Sequence, residues 1–148
     1  MTFGTIRKSL YSSVVVLGIA IVIPAYADNN LEKQVSEGIK LAGGGEVGLA
    51  EYFVTEHKWP AQFSDVYTAA GEKPAGKYVA FLSGKGKGET YAIQAVMRRD
   101  MYVLQALKGK SLVIWTTDGG NTWHCGTTGV LGISGTISRM LLPKSCRE

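Results

Sequence analysis

The apolar positions fall into three successive patterns along the chain. From Val14 to Ile23 they form an unbroken run, ended by Pro24. From Asp28 to about Phe53 the pattern turns helical. Leu31, Val35, Ile39 and Ala42 recur at intervals of four, four and three, which lays one apolar stripe along a helix. Leu49, Ala50 and Phe53 continue it, and Glu32, Lys33, Glu37, Lys40 and Glu46 fall between as on a solvated face. Gly43-Gly44-Gly45 interrupts the stripe. Each glycine costs about 1 kcal/mol against alanine inside a helix, so the triplet predicts a bend, a break, or a close approach of another backbone. Trp59-Pro60 ends the helical region, because a proline pushes the residue before it away from the α conformation.

Residues 60–76 carry Pro60, Gly71, Pro74 and Gly76 and read as a loop with little regular structure. Beyond them the pattern becomes that of strands. Tyr78 to Leu82 is a short β-rich run, and Gly84-Lys-Gly-Lys-Gly88 reads as a solvated hairpin tip rather than a phosphate site. Tyr91 to Val96 alternates as a second strand, and Tyr102 to Leu107 reads as another short extended piece. Ser111 to Thr116 is a clear strand. Thr117-Asp-Gly-Gly-Asn121 has turn chemistry, and Thr122-Trp-His-Cys125 opens a last strand. The layout is α+β: a helix over about 28–54, covering one face of an antiparallel sheet over about 77–126.

Composition limits the classes available. The chain has 148 residues, the size of one domain. Hydrophobic residues make up 45% and charged residues 19%, which is enough apolar material for a core and argues against wholesale disorder. Its 19 glycines follow no three-residue period, which excludes a collagen-like chain. With two histidines and two cysteines, a four-ligand zinc site would need every one of them.

Residues 1–27 read as a targeting segment. Arg7 and Lys8 precede the apolar run, and Ala25-Tyr26-Ala27 has the small-x-small form of a signal peptidase site. The run falls short of the ~20 apolar residues that span a bilayer as a helix. Two readings stay open: a cleaved secretory signal, leaving a globular domain over 28–148, or a retained N-terminal membrane helix. Either exports the domain. Cleavage after Ala27 would leave 14 basic against 12 acidic residues, a balance low for a dedicated nucleic-acid domain. Export also places Cys125 and Cys146 in an oxidising compartment, where they can close a disulfide worth ~3 kcal/mol by chain entropy.

Candidate chemistry is sparse. His57 and His124 lack an H-x-x-x-H partner. His124 adjoins Cys125, but a disulfide would remove that nucleophile. Gly132-Ile-Ser134-Gly135 does not match the G-x-S-x-G elbow. Asp65, Glu72, Glu89, Asp100 and Asp118 lie in polar turns and show no pairing. No catalytic residue, cofactor or metal is expected. Tyr52, Phe53 and Trp59 are expected to close the helix and pack on the sheet. Trp115 and Trp123 are expected to stack across a hairpin. Lys85, Lys87, Arg98, Arg99, Lys108 and Lys110 are candidates for a basic patch on loop tips, with plain solvation favoured over nucleic acid.

Several fragments, in order, resemble the type IV pilins, in the branch with a C-terminal disulfide loop. Val14 to Ile23 followed by Pro24-Ala25-Tyr26 is similar to the family's apolar helix with its Pro-Ala-Tyr bend. Gln34-Val-Ser-Glu-Gly-Ile-Lys-Leu-Ala42 is similar to the exposed half of that helix, and Leu49-Ala-Glu-Tyr-Phe53 with Lys58-Trp-Pro60 to its end and first loop. Gly76-Lys-Tyr-Val79 resembles the opening strand. Lys108-Gly-Lys-Ser-Leu112 and Trp123-His-Cys125 resemble the last strands, and Leu142-Pro-Lys-Ser-Cys146 the closing motif.

The resemblance implies a long N-terminal helix laid on a four-stranded antiparallel sheet, with Cys125 and Cys146 framing a variable, often adhesive region over 125–146. It implies an apolar half-helix that holds the subunit in the inner membrane and then bundles with other pilin subunits in the core of a surface fibre. The uses implied are adhesion, motility or DNA uptake, with a host surface or DNA as ligand. Processing would follow Gly4 in that case, and Ala27 if the segment is an ordinary signal, which would leave a periplasmic or secreted domain binding a partner without assembly. One difference stands at the front. The family carries an aromatic residue after the processed glycine and a glutamate at the fifth mature position, whereas here Thr5 follows Gly4, Ser9 takes the fifth place, and Arg7 and Lys8 lie between.

Overall fold

In a computed structural model, which describes residues 30–69 and 75–147, the apolar stripe lies along two successive helices. Helix α1 covers 30–43 among the described residues, and α2 spans Glu46–Glu56. The turn between them is tight: Gly44 N–H bonds the Lys40 carbonyl at 2.9 Å and Gly45 N–H the Ala42 carbonyl at 3.2 Å. The helix expected over about 28–54 is thus interrupted at 44–45. Val35, Ala42 and Leu49 are fully buried on the stripe, and such burial contributes roughly 1.5–3 kcal/mol for each large aliphatic side chain.

Four antiparallel strands follow as a meander in the order β1-β2-β3-β4. They are β1 Val79–Lys87, β2 Thr90–Met97, β3 Ser111–Thr116 and β4 His124–Gly126. The register opposes Gly86 to Tyr91, Ile93 to Ile114 and Ala95 to Leu112, so these share the helix-facing side. Gly38 on α1 meets that side closely: a Cβ there would lie 3.2 Å from Leu112 and 3.8 Å from Ala95.

Several expectations need correcting. The segment 60–76 is not all loop, because Phe63–Ala69 forms a helix, α3. Phe63, Val66 and Tyr67 are buried, at the three- and four-residue spacing of one helix face. The socket for α3 is glycine: a Cβ on Gly45 would come within 2.8 Å of the Phe63 ring, and one on Gly48 within 2.4 Å of Val66 Cγ1. The close approach expected at the glycine triplet is therefore made by a side chain of α3.

Strand β1 runs through most of the expected Gly-Lys turn, and only Gly88-Glu89 turns between Lys87 and its partner Thr90. The glycines serve aromatic packing. A Cβ at Gly84 would sit 2.4 Å from the Tyr91 hydroxyl, and one at Gly86 2.4 Å from Trp59 Cδ1. Trp59 in turn stacks on Phe53, with ring centroids 4.3 Å apart, and tilts against Tyr91 at 4.9 Å. This burial, and secondarily the charge of Asp65, pushes the Tyr91 phenol up to about 12.

Tyr102 to Leu107 is not extended either. It is a succession of turns, with Leu107 N–H bonded to the Leu104 carbonyl at 2.8 Å. Buried Gln34 holds it from α1, its Nε2 donating to the Tyr102 carbonyl at 3.1 Å and its Oε1 accepting from Leu104 N–H at 2.9 Å. One turn along, Glu37 is not a solvated-face residue. Its carboxylate accepts the backbone N–H groups of Lys77, Tyr78 and Val79 at 2.8, 2.6 and 3.0 Å, where β1 begins. Among the described residues no helix is long and apolar enough to cross a membrane.

Candidate functional site: the disulfide-bounded surface

All six residues of β3 are buried, so β3 is covered on both faces. The helices cover one. On the other, Ala92, Val113 and Trp115 form a cluster against which Val130 and Ile133 pack. The chain after β4 therefore folds back over the outer side of the sheet. It is fastened by polar bonds: Gln94 Nε2 donates to the Ser134 carbonyl at 3.1 Å, Thr136 N–H to the Ser111 carbonyl at 2.8 Å, and Ser111 N–H to Thr136 Oγ1 at 3.0 Å. At its tip Val130 and Ile133 exchange backbone hydrogen bonds of 2.7 and 2.9 Å around Leu131-Gly132. Leu131 has a φ of 53°, a conformation that costs a branched side chain of order 1 kcal/mol.

Cys125 and Cys146 close this segment as a disulfide, with their Cα atoms 4.6 Å apart. Cys125 opposes Ile114 and so faces the helix side, while its neighbours His124 and Gly126 face the outer side. The closed segment thus leaves β4 at the helix side, crosses the outer face and returns. Cys146 and Leu142 are buried on the return, whereas Met140 is 82% exposed. The surface on offer is the outside of this cover, from Thr128 and Gly129 to Arg139 and Met140.

The turn into β4 fixes where the segment begins. Thr116 Oγ1 donates to Asp118 Oδ1 at 2.8 Å, and Thr122 N–H donates to the same oxygen at 2.9 Å. Gly119 and Gly120, at φ 72° and 95°, carry the chain past α2. A Cβ on Gly120 would lie 2.9 Å from the Ala50 Cβ. The Thr122 N–H, with the Thr116 hydroxyl second, lowers the Asp118 carboxyl to about 2. A group lowered on folding stabilises above its unfolded value, near 4. That contribution fades as pH falls from about 4 towards 2. Asp118→Ala should therefore melt below the parent at pH 5, and the gap should narrow as pH falls towards 2. A gap that stays constant with pH would contradict this.

The two aromatic residues beside the turn do not stack on each other. Trp115 stacks with His124 across the β3–β4 pair, centroids 5.7 Å apart, and Trp123 Nε1–H donates to the Gly120 carbonyl at 3.1 Å. The register explains it, since Trp115 and His124 are direct partners. His57 lies apart at the end of α2. Among the described residues no three His, Cys, Asp or Glu side chains gather as a metal site. Ser134 is engaged through its backbone carbonyl as part of the cover. The six basic residues do not form one patch. Lys85 and Lys87 lie where β1 ends, and Arg98, Arg99, Lys108 and Lys110 at the opposite end of the β1–β2 pair, ~20 Å away along the strands. Gly4 and Ala27 lie outside the described residues.

Residues 34–147 match the family model described as Pilin (bacterial filament). The chain is 33% identical over 148 residues to the fimbrial protein EcpC of Eikenella corrodens, a match covering 99% of this chain and 90% of that one. It is 29% identical over 160 residues to the type IV major pilin protein PilE of Neisseria gonorrhoeae, covering 99% and 93%. With a fimbrial protein of Neisseria meningitidis serogroup A it shares 32% identity over 126 residues, covering 84% and 71%.

Proposed function

The chain belongs to the pilin family of bacterial filament proteins, and from that membership we propose that it is a type IV pilin, a structural subunit of an exported surface fibre. The observation that carries this is the extent of the likeness. The match to the Eikenella corrodens fimbrial protein takes in 99% of the chain, so nearly all of the N-terminal segment is part of it. An N-terminal segment retained after processing at Gly4 would hold the subunit in the membrane before assembly and bundle with its neighbours afterwards.

In such a fibre the unit Glu32–Glu148 is the part that meets the outside. Its helices and sheet form the support, and the segment closed by Cys125–Cys146 presents the surface. A ligand on another cell surface would meet that cover, where Met140 and Arg139 are exposed. The split of the basic residues between two ends of the sheet disfavours one continuous DNA-binding strip.

The test is to image the host cells with antibody against the globular unit, and to repeat with the gene for this chain deleted. Labelled surface fibres that disappear on deletion are expected. Fibres that stay unlabelled and survive deletion would overturn the proposal.

A further inference from the structure

Helix α2 is apolar on two faces. Leu49 is buried, yet Val47 and Val54 are 68% and 70% exposed. With exposed Glu51 they stand at positions i, i+4 and i+7, one outward stripe about 10 Å long. Beside the stripe a groove runs between α2 and α3, lined among the described residues by Glu51, Glu56 and Asp65 with uncharged neighbours and by no basic residue. A second groove lies between the segment after α2 and the free edge of β1. Among the described residues it is lined by Lys58, Lys85 and Lys87, with Trp59, and by no carboxylate. All six charged side chains are exposed.

An open helical array requires two different, complementary surfaces on each subunit. One chain here carries a three-carboxylate groove and a three-lysine groove, the first flanked by exposed apolar area. We infer that these two grooves meet between successive copies of this chain. The outward stripe of α2, with Glu51, Glu56 and Asp65, docks on the Lys58–Lys85–Lys87 groove of the next copy. Val47 and Val54 supply buried apolar area, and the charges set orientation and register and reject like-charged alignments. The inference rests on the reading of the chain as a fibre subunit.

Two full-length variants test it in the host. One carries Glu51→Lys, Glu56→Lys and Asp65→Lys; the other carries Lys58→Glu, Lys85→Glu and Lys87→Glu. Because all six sites are exposed, the globular units should melt close to the parent, which is checked first. Each variant alone should give at least tenfold less sheared fibre than the parent. Expressed together they should restore it, because an alternating array recovers opposite charges at every contact. Parent-like yield from both single variants, or failure of the mixture to assemble, would overturn the inference while leaving the fibre reading in place. Absence of fibres from the parent chain would instead overturn the fibre reading itself.

Discussion

Opening the Cys125–Cys146 bond is expected to cost about 3 kcal/mol, within the ~2–5 kcal/mol usual for a native disulfide in a small exported domain. The bond closes a loop across 21 positions of sequence. That loop is a cover, so the loss reaches beyond chain entropy. Val130 and Ile133 would leave Ala92, Val113 and Trp115 less protected, and the bonds of Gln94 and Ser111 to residues 134–137 would loosen. Cys146→Ala should lower the melting temperature by roughly 10 °C. Trypsin should then cut at Arg139 and Lys144 ahead of the rest of the globular unit. An unchanged melting temperature would contradict the role given to the disulfide.

Glu37→Ala is the second large effect, expected at ~2–4 kcal/mol. The carboxylate gathers three successive backbone donors, Lys77, Tyr78 and Val79. Hydrogen bonds to a charged group contribute about 1.5–3 kcal/mol each, less where water can replace them. Gly76 allows this approach, since a Cβ there would lie 2.6 Å from the Glu37 carboxyl carbon. Glu37→Gln should recover little, because it turns an amide donor towards donors. Lys40→Ala, on the exposed side of the same helix, should stay within ~0.5 kcal/mol. Hydrogen exchange should rise first at residues 77–79 in the Glu37 variants. A loss no larger than that of Lys40→Ala would contradict the clamp.

The same residue shows what could be read from sequence and what could not. Period alone revealed the stripe of Val35, Ala42 and Leu49, and the strands at 91–96 and 111–116, because each buries one regular face. Glu37 stood between apolar positions and looked solvated. Nothing local distinguishes a carboxylate facing water from one facing the start of a strand 40 residues on. Gly84 and Gly86 looked like turn residues, but they make room for Trp59 and Tyr91 from elsewhere in the chain. Helix α3 was hidden because its flanking prolines and glycines outweighed a seven-residue pattern whose partners are Gly45 and Gly48. The cysteine pair was legible from export and number. That the segment between them is a second layer on the sheet was not, since it is held mainly through backbone carbonyls and a few apolar contacts.

The proposed fibre subunit keeps its N-terminal segment. The intact mass and N-terminal sequence of the chain recovered from sheared surface material of its native host test that most directly. A chain beginning at Thr5 is predicted. A chain beginning at Asp28, found free of fibres, would contradict the account and leave a soluble exported domain of the same fold.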